Sequence, residues 1–333
     1  MEIAASAGMS GLSIAASMYS FRLNKLCSSK GPAIRKLIVL GVVGLVAQLI
    51  DGSLGMGYGV TSSTLLLAVG VAPAAASAAV HFSEIGTSLV SGASHHKLGN
   101  VDWRTVSILA VPGFVGAFIG ATVLSNMDAA IAKPIVAGIL LSLGVYVVYR
   151  FLRLGGRRPT FKPRPGVAFL APMGLVAGTL DAMGGGGWGP VGTTSLLSSG
   201  RLEPRKVVGS IDASEFVVAV GGSLGFILAL GSQGINWGYA AALLAGGVIA
   251  APIAAWLVSR LAARVLGVAA GGLIILTNSK TILESLGVPG VGVAVVAASV
   301  FVLWISGIVW AVKQERLTKA LLTTERDPEP ATA

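Results

Sequence analysis

Long apolar stretches alternate with short polar connections along most of the chain. Their lengths predict membrane-spanning α-helices, because about 20 apolar residues are needed to cross a bilayer. The predicted long helices lie at residues 74–95, 104–125, 132–151, 207–231, 237–259, 262–279 and 288–312. Four further apolar segments are too short to cross on their own, and they lie at residues 37–50, 59–71, 167–180 and 189–199. The pattern therefore predicts an all-α polytopic membrane protein.

The short segments form two pairs, and a glycine cluster interrupts each pair. In the first pair an apolar segment ends at Asp51, crosses Gly-Ser-Leu-Gly-Met-Gly and resumes at Tyr58. The second pair repeats this order, since it ends at Asp181, crosses Ala-Met-Gly-Gly-Gly-Gly and resumes at Trp188. Paired short segments that glycine interrupts at corresponding places of two repeats point to the central binding site of a transporter.

The repeat continues into the following helix, where Ser83-Glu84 matches Ser214-Glu215. Each half is predicted to be a glycine-broken hairpin of short helices followed by three transmembrane helices. A hairpin returns the chain to its starting side, so three more crossings make the second repeat inverted. Most loop Lys and Arg residues then share one face, which is expected to be cytoplasmic. The basic residues before 37 fall on the other face, and one broken crossing per pair would give parallel repeats instead.

These elements divide the chain into six segments. They are a weakly apolar and basic N-terminal segment (1–36), the first repeat (37–151), a basic cytoplasmic linker (152–166), the second repeat (167–280), an extra transmembrane helix (288–312) and a polar tail (313–333). We expect the tail to be disordered, because it has too few apolar residues to pack. The sequence leaves open whether residues 1–36 add another transmembrane helix.

Composition supports the membrane assignment. Hydrophobic residues make up 54% of the chain and charged residues 11%, and the mean hydropathy is +0.82, values that soluble domains do not show. The net charge of +10 lies in loops, which is typical of membrane orientation and not of nucleic-acid binding. The single cysteine, Cys27, provides no disulfide framework. We expect a multi-pass protein of the cytoplasmic membrane with the lipid bilayer as partner, without nucleic acid, cofactor or metal; homo-oligomerisation is left open.

The glycine clusters and the helix starts that follow them predict an anion site. Glycine lets the backbone approach a ligand closely, and a helix start presents unpaired N–H groups and a positive dipole end. Inverted hairpins would bring the two starts together from opposite faces. The expected substrate-binding residues are Gly55, Gly57, Tyr58, Gly59, Thr61, Ser62, Gly185, Gly186, Gly187, Trp188, Gly189, Thr193 and Thr194. The alternative explanation is that these glycines only allow the helices to pack closely and bind no ligand.

Four acidic residues within the apolar segments are candidates for proton coupling, because a charge at mid-bilayer costs about 2.5–3.5 kcal/mol. They are Asp51, Glu84, Asp181 and Glu215. We expect at least one of the two glutamates to take up a proton when the anion binds. His81 lies one turn before Glu84, where it would tune a proton step or pack as a neutral side chain. The alternative role of the two aspartates is to cap helices or hold the glycine loops.

The paired glycine hairpins, the Ser-Glu pairs and the Gly-Asn-Val-Asp-Trp-Arg link at 99–104 resemble the sulfite exporter TauE/SafE family, also called toluene sulfonate uptake permeases. The likeness covers residues 37–312. It implies a bacterial-type carrier for small sulfur-containing or carboxylate anions, such as sulfite or sulfoacetate, driven by a proton gradient and working as exporter or importer. The first hairpin lacks the proline that Pro190 supplies in the second, so symmetric use of the hairpins is in question.

The predicted function is a secondary transporter that binds a small sulfur-containing oxyanion between the two glycine breaks. No catalytic triad, Walker sequence or dinucleotide fingerprint is present, so neither ATP-driven transport nor an enzyme is expected. A passive anion channel and a non-transporting membrane anchor or regulatory subunit remain alternatives. The anion, the direction of transport and the coupling ion are not determined by the sequence.

Overall fold

The computed structural model describes residues 34–153, 164–199, 201–257 and 263–326. These ranges contain eleven α-helices, one 3₁₀ turn and no strand, which confirms the predicted all-α class. The predictions for residues 1–33, which include Cys27, and for most of the linker lie outside the described residues. The helices are α1 Ile34–Leu54, α2 Tyr58–Ala68, α3 Pro73–Lys97, α4 Trp103–Ser125, α5 Ala129–Arg153, α6 Val167–Gly184, α7 Trp188–Ser199, α8 Pro204–Leu230, α9 Trp237–Leu257, α10 Ala263–Ser285 and α11 Gly290–Arg326.

Seven of the described helices are long and apolar enough to cross a membrane, namely α1, α4, α5, α6, α8, α9 and α11. The half-length helices α2 and α7 have only 11 and 12 residues. Helix α3 has 25 residues but falls outside the seven. Its length is sufficient, but serines, histidines and a glutamate lower its hydropathy, and most of these side chains are buried inside the protein. A helix that faces other helices in this way can cross without being apolar all round.

Three helices extend well beyond the ends that the sequence predicts. Helices α1 and α6 cover 21 and 18 residues, where segments 37–50 and 167–180 were expected. They continue past their aspartates because each carboxylate accepts N–H groups from the next helix start and does not interrupt its own helix. Helix α11 runs to Arg326 and not to 312, so residues 313–326 form further turns and no disordered tail. Their sequence is rich in good helix formers; residues 327–333 lie outside the described ranges.

Equivalent helices of the two halves make equivalent contacts. Helix α4 packs against α6, and a Cβ on Gly116 or Gly178 would meet the backbone of the other helix. The equivalent pair from the two repeats is α1 and α9, where Gly44 and Gly246 make the same kind of backbone contact. Small residues allow helices to approach closely where lipid provides no hydrophobic force between them. These two close contacts flank the centre of the molecule.

Helices α3 and α8 occupy equivalent positions in the two repeats and pack against each other. Gly222 of α8 lies beside His81 of α3, whereas Ala213 of α8 lies beside Gly92 of α3. Residue numbers therefore rise along one helix as they fall along the other, so the two helices are antiparallel. Helices α5 and α10 are antiparallel as well. An inverted repeat requires this packing, and the inversion relative to a bilayer stays a prediction.

Candidate functional site

The two glycine breaks, residues 55–57 between α1 and α2 and residues 185–187 between α6 and α7, are buried, and each contacts the half-length helix of the other half. Gly55, Gly57 and Gly185 have φ angles of 67°, 132° and 68°, which L side chains rarely adopt. A Cβ on Gly186 would collide with the backbone nitrogen of Val60 at the start of α2. Glycine is therefore required both for the conformation of the breaks and for their contact.

Two reciprocal hydrogen bonds join the breaks. Ser63 Oγ of α2 donates to the Gly185 carbonyl at 2.8 Å, and Thr193 Oγ1 of α7 donates to the Gly55 carbonyl. Ser63 and Thr193 hold corresponding positions in the two repeats, as do Gly55 and Gly185. A hydroxyl from each half therefore holds the glycine break of the other half. The sequence predicted a role for Thr193 but did not single out Ser63.

We expect Ser63→Ala and Thr193→Ala each to lower the thermal midpoint of the purified protein by a few degrees. A buried carbonyl that loses its donor costs about 1–3 kcal/mol. Tryptophan fluorescence during thermal unfolding in detergent measures the midpoint. Ser299→Ala is the matched control, because Ser299 is exposed on α11 and its hydroxyl bonds only to Val295 of the same helix. Midpoints equal to that of the control would contradict the stabilising role.

Asp51 and Asp181 bind the start of the half-length helix that follows each of them. Asp51 Oδ1 accepts a hydrogen bond from Tyr58 N at 3.2 Å. Asp181 Oδ1 accepts from Gly187 N at 2.7 Å and from Trp188 N at 2.9 Å. A carboxylate at a helix start pairs donors that the helix itself leaves unpaired. This geometry corresponds to the capping role; a proton-coupling role of the aspartates stays a prediction.

The start of α2 has further donors, and Glu84 lies beside them. The first intrahelical bond of α2 joins Thr61 N to Gly57 O, so the N–H groups of Gly59 and Val60 precede it. A Cβ on Gly59 would lie 2.8 Å from Glu84 Oε1. Both oxygens of Glu84 are buried without a hydrogen-bond partner in the described part of the chain. The Glu84 carboxyl group thus lies at a helix start that favours negative charge.

The start of α7 offers fewer donors. Its first intrahelical bond joins Val191 N to Gly187 O, which leaves the N–H group of Gly189 ahead of it. Pro190 has no N–H group. The two helix starts therefore differ by one donor, which agrees with the asymmetry that the sequence indicated at Pro190.

His81 connects Glu84 with Asp181. Its Nε2 lies 3.3 Å from Asp181 Oδ2, and its Nδ1 lies 3.0 Å from the Ser77 carbonyl and 3.9 Å from Glu84 Oε2. Both ring nitrogens thus face oxygen atoms in a buried environment. His81, Glu84 and Asp181 also offer ligand atoms within 4.8 Å of one another, a spacing that would allow them to hold a metal ion. The absence of a metal stays a prediction.

The second half has a related cluster around Asp212, the residue that corresponds to His81. Ser91 Oγ donates to Asp212 Oδ2 at 2.6 Å, and His95 Nε2 lies 3.5 Å from the same oxygen. Ser88 Oγ donates to Glu215 Oε2 at 2.9 Å. The donors come from α3 and the acceptors from α8. The two halves therefore pair their buried carboxylates with different partners.

The predicted hydroxyl ligands fall into two groups. Thr193 and Thr194 donate to backbone carbonyls. The hydroxyls of Thr61 and Ser62 are buried and have no partner among the described residues, so both are free to bind a ligand. The binding of substrate by any of the four stays a prediction.

The two aromatic residues that the sequence predicted for the site are buried, and each donates a hydrogen bond to a long helix, α3 or α8. Tyr58 Oη donates to Ser83 Oγ of α3 at 2.9 Å. Trp188 Nε1 donates to the Ile211 carbonyl of α8 at 3.2 Å. Each aromatic residue therefore connects the start of a half-length helix to the long helix beside it. Their contact with substrate stays a prediction.

Acidic groups outnumber basic groups in this centre. The buried ionisable residues are Asp51, Glu84, Asp181, Asp212 and Glu215, with His81 and His95. Among the Lys and Arg side chains that the structure describes, none is buried. Five carboxylates and two imidazoles would repel a bound anion if all the carboxylates were ionised.

The sequence analysis assigned no role to the polar residues of α3 beyond Glu84. Ser88, Ser91 and His95 follow at alternating spacings of four, three and four, which places them on one helical face. All of them are buried. The signal was present, because buried polar groups at helical spacing in a membrane protein indicate function.

A model of the family described as sulfite exporter TauE/SafE matches residues 40–281. The chain is 50% identical over 255 residues to the probable membrane transporter protein YtnM of Bacillus subtilis (strain 168), covering 75% of this chain and 84% of the relative. It is 26% identical over 192 residues to YdhB of the same organism, another probable membrane transporter, covering 57% and 77%. Sulfite exporter TauE/SafE family protein 2 of Arabidopsis thaliana is 30% identical over 111 residues, covering 32% and 24%. No solved structure matches the chain.

Proposed function

Because this chain belongs to the sulfite exporter TauE/SafE family of membrane transporters, we propose that it is a proton-coupled secondary transporter of a small sulfur-containing oxyanion. Sulfite is the first candidate, and an organosulfonate such as sulfoacetate is the second. The protein would work in the cell membrane with its basic linker in the cytoplasm. The names of two Arabidopsis thaliana relatives contain sulfite exporter, which supports this substrate class.

One observation supports the anion site above all. The start of each half-length helix contacts the glycine break of the other half, and each start has at least one N–H group ahead of its first intrahelical bond. Helix starts bind oxyanions because these N–H groups and the helix dipole point at the ligand. The free hydroxyls of Thr61 and Ser62 follow directly in α2. We place the sulfur oxyanion at these groups.

Proton coupling follows from the charge of the centre. Glu84 lies where the anion would meet the start of α2, and its ionised form would compete with the anion for the same N–H groups. When Glu84 takes a proton, this repulsion ends and the anion can bind. Because neither oxygen of Glu84 has a hydrogen-bond partner in the described residues, the start of α2 is the group beside it that favours its charged form, and a bound anion would occupy that start. Anion and proton would then move together.

His81 would pass the proton between Glu84 and Asp181. The ring faces both carboxyl groups, at 3.9 Å and 3.3 Å. A histidine can take a proton at one ring nitrogen and release one from the other. Asp181 in turn caps the start of α7 through its other oxygen. Proton movement at His81 would therefore change the hydrogen bonding of the second helix start as well.

The experiment is sulfite flux into proteoliposomes that contain only this protein, with and without an imposed pH gradient. We expect saturable flux that follows the gradient. Asp181→Asn should lower it by about tenfold, because the amide offers His81 no charged partner and the capping bonds weaken. Asp128→Asn is the matched control, since Asp128 is exposed in the loop before α5 and its side chain accepts a bond from Ala130 N. A chelator in all buffers excludes a contribution from metal at the His81 cluster.

Each alternative has its own outcome. Unsaturated current that follows the membrane potential, with no response to the pH gradient, would identify a passive anion channel. Transport of sulfoacetate but not of sulfite would keep the carrier and change its substrate. No flux of sulfite, sulfonates or small carboxylates would contradict transport and favour a membrane anchor or regulatory subunit.

A further inference from the structure

The buried polar residues of α3 form one continuous stripe from the centre to one end of the helix. His81, Glu84, Ser88, Ser91 and His95 lie three or four residues apart and share one face. Each of them is at most 3% exposed. A stripe of this kind in a membrane protein normally marks the path of a proton or ion.

The stripe is extended by carboxyl groups of α8. Glu215 accepts from Ser88 at 2.9 Å, and Asp212 accepts from Ser91 at 2.6 Å. His95 Nε2 follows at 3.5 Å from Asp212 Oδ2. The ionisable groups along the stripe are therefore Glu84, Glu215 beside Ser88, Asp212 beside Ser91, and His95. The hydroxyls of Ser88 and Ser91 bind the two carboxylates of α8.

His95 is the group nearest to the end of the stripe. Its Nε2 lies 3.2 Å from the Gly52 carbonyl of α1, and its Nδ1 lies 3.3 Å from Asn100 Nδ2 in the loop after α3. The acidic groups around it are Asp212 on α8, Asp51 on α1 directly before Gly52, and Asp102 just beyond Asn100.

The loop that follows α3 connects the buried His95 with exposed residues at the protein surface. Asn100 is 5% exposed, and the neighbouring Asp102 pairs at 3.7 Å with Arg164, which is 60% exposed. One ring nitrogen of His95 therefore faces the buried carboxylate, and the other faces the surface loop.

The stripe has no counterpart on α8. The residues of α8 that correspond to Ser88, Ser91 and His95 are Ala219, Gly222 and Phe226, and none of these can ionise. Phe226 is fully buried and packs edge-on against His81, with the ring centroids 5.6 Å apart. Ser77 is the next hydroxyl of α3 on that side, and it donates to the Ala182 carbonyl at 2.7 Å.

We propose that the α3 stripe is a one-sided proton path, in which His95 is the relay between the central carboxyl groups and the face of the protein at the C-terminal end of α3. A proton from solvent would bind His95 Nδ1, and the proton on Nε2 would pass to Asp212. The path continues through the α3 hydroxyls and Glu215 to Glu84. On the opposite side Phe226 takes the place of His95 and offers no relay, so the proton would leave Glu84 towards that side only together with the anion. This inference rests on the proton coupling proposed above, and it adds the side from which protons arrive.

The test compares net sulfite flux with sulfite exchange in proteoliposomes. Net flux driven by a pH gradient requires protons to enter and leave the centre. Exchange of labelled sulfite at equal sulfite concentration and equal pH does not require proton release. We expect His95→Gln to lower net flux by about 100-fold, the low end for loss of a positioned proton-transfer group, and to change exchange by less than about twofold. Asn100→Ala leaves His95 itself in place, so it should lower net flux by a smaller factor and likewise leave exchange nearly unchanged.

His96→Gln is the matched control, because His96 is the adjacent histidine, is exposed and contacts Trp103 outside the stripe. It should leave both rates unchanged. Unchanged net flux in His95→Gln, or an equal loss of net flux and exchange, would overturn the path while leaving the transporter in place. Absence of both rates in the unmodified protein would overturn the proposed function and the path with it.

Discussion

Glu84→Gln is expected to remove pH-gradient-driven sulfite flux, with a fall of about 100-fold or more, because a positioned proton-transfer group contributes at least that factor. Glutamine keeps the shape of the side chain but cannot release a proton. It also carries no negative charge beside Gly59 at the start of α2. Net flux and exchange in proteoliposomes, measured across a range of pH, give the result.

Exchange should behave differently from net flux in this variant. A neutral side chain at position 84 mimics the protonated state, so the anion can bind and exchange at every pH tested. Sulfite exchange by Glu84→Gln should therefore lose its pH dependence while it persists. Glu203→Gln is the control, since Glu203 lies before α8 and pairs at 2.8 Å with the exposed Arg205. If Glu84→Gln keeps the flux and the pH dependence of the unmodified protein, Glu84 is not the coupling group.

Gly186→Ala is expected to disrupt the centre itself. The added Cβ would collide with Val60 N and come close to the carbonyl carbon of Gly59, and both are backbone atoms that cannot rotate away. Overpacking of this kind costs about 1–3 kcal/mol, and the two breaks would have to separate to relieve it. We expect loss of sulfite flux, because the second glycine break would no longer pack against the start of α2, and a lower thermal midpoint.

The control for this variant is Gly138→Ala. Gly138 lies within α5, and a Cβ there would meet no atom within 4 Å. Alanine also favours helix over glycine by up to about 1 kcal/mol. Its flux and thermal midpoint should equal or exceed those of the unmodified protein. A Gly186→Ala protein with normal flux would show that the contact between the breaks is not needed for transport.

The local pattern of the chain was sufficient for much of the architecture. Apolar segment lengths predicted the helices, and the repeated glycine clusters predicted where the two half-length helices begin. The family resemblance, drawn from the hairpins and the Ser-Glu pairs, is confirmed by the family match over residues 40–281. These features are readable because helix length, polarity and backbone freedom are properties of neighbouring residues. Segment ends were less well predicted, since Asp51 and Asp181 continue their helices by pairing their carboxylates elsewhere.

The sequence by itself therefore determined the membrane class, the two repeats and the candidate carboxylates. Only the tertiary structure decided what each group contacts. Ser63 binds Gly185, which lies 122 residues away, and Ser91 binds Asp212 across 121 residues. Hydropathy does not encode such pairs, because they depend on which helix faces pack together. The same holds for His95: the sequence places it at the last residue of a predicted helix, but packing against α1 and α8 buries it beside Asp212.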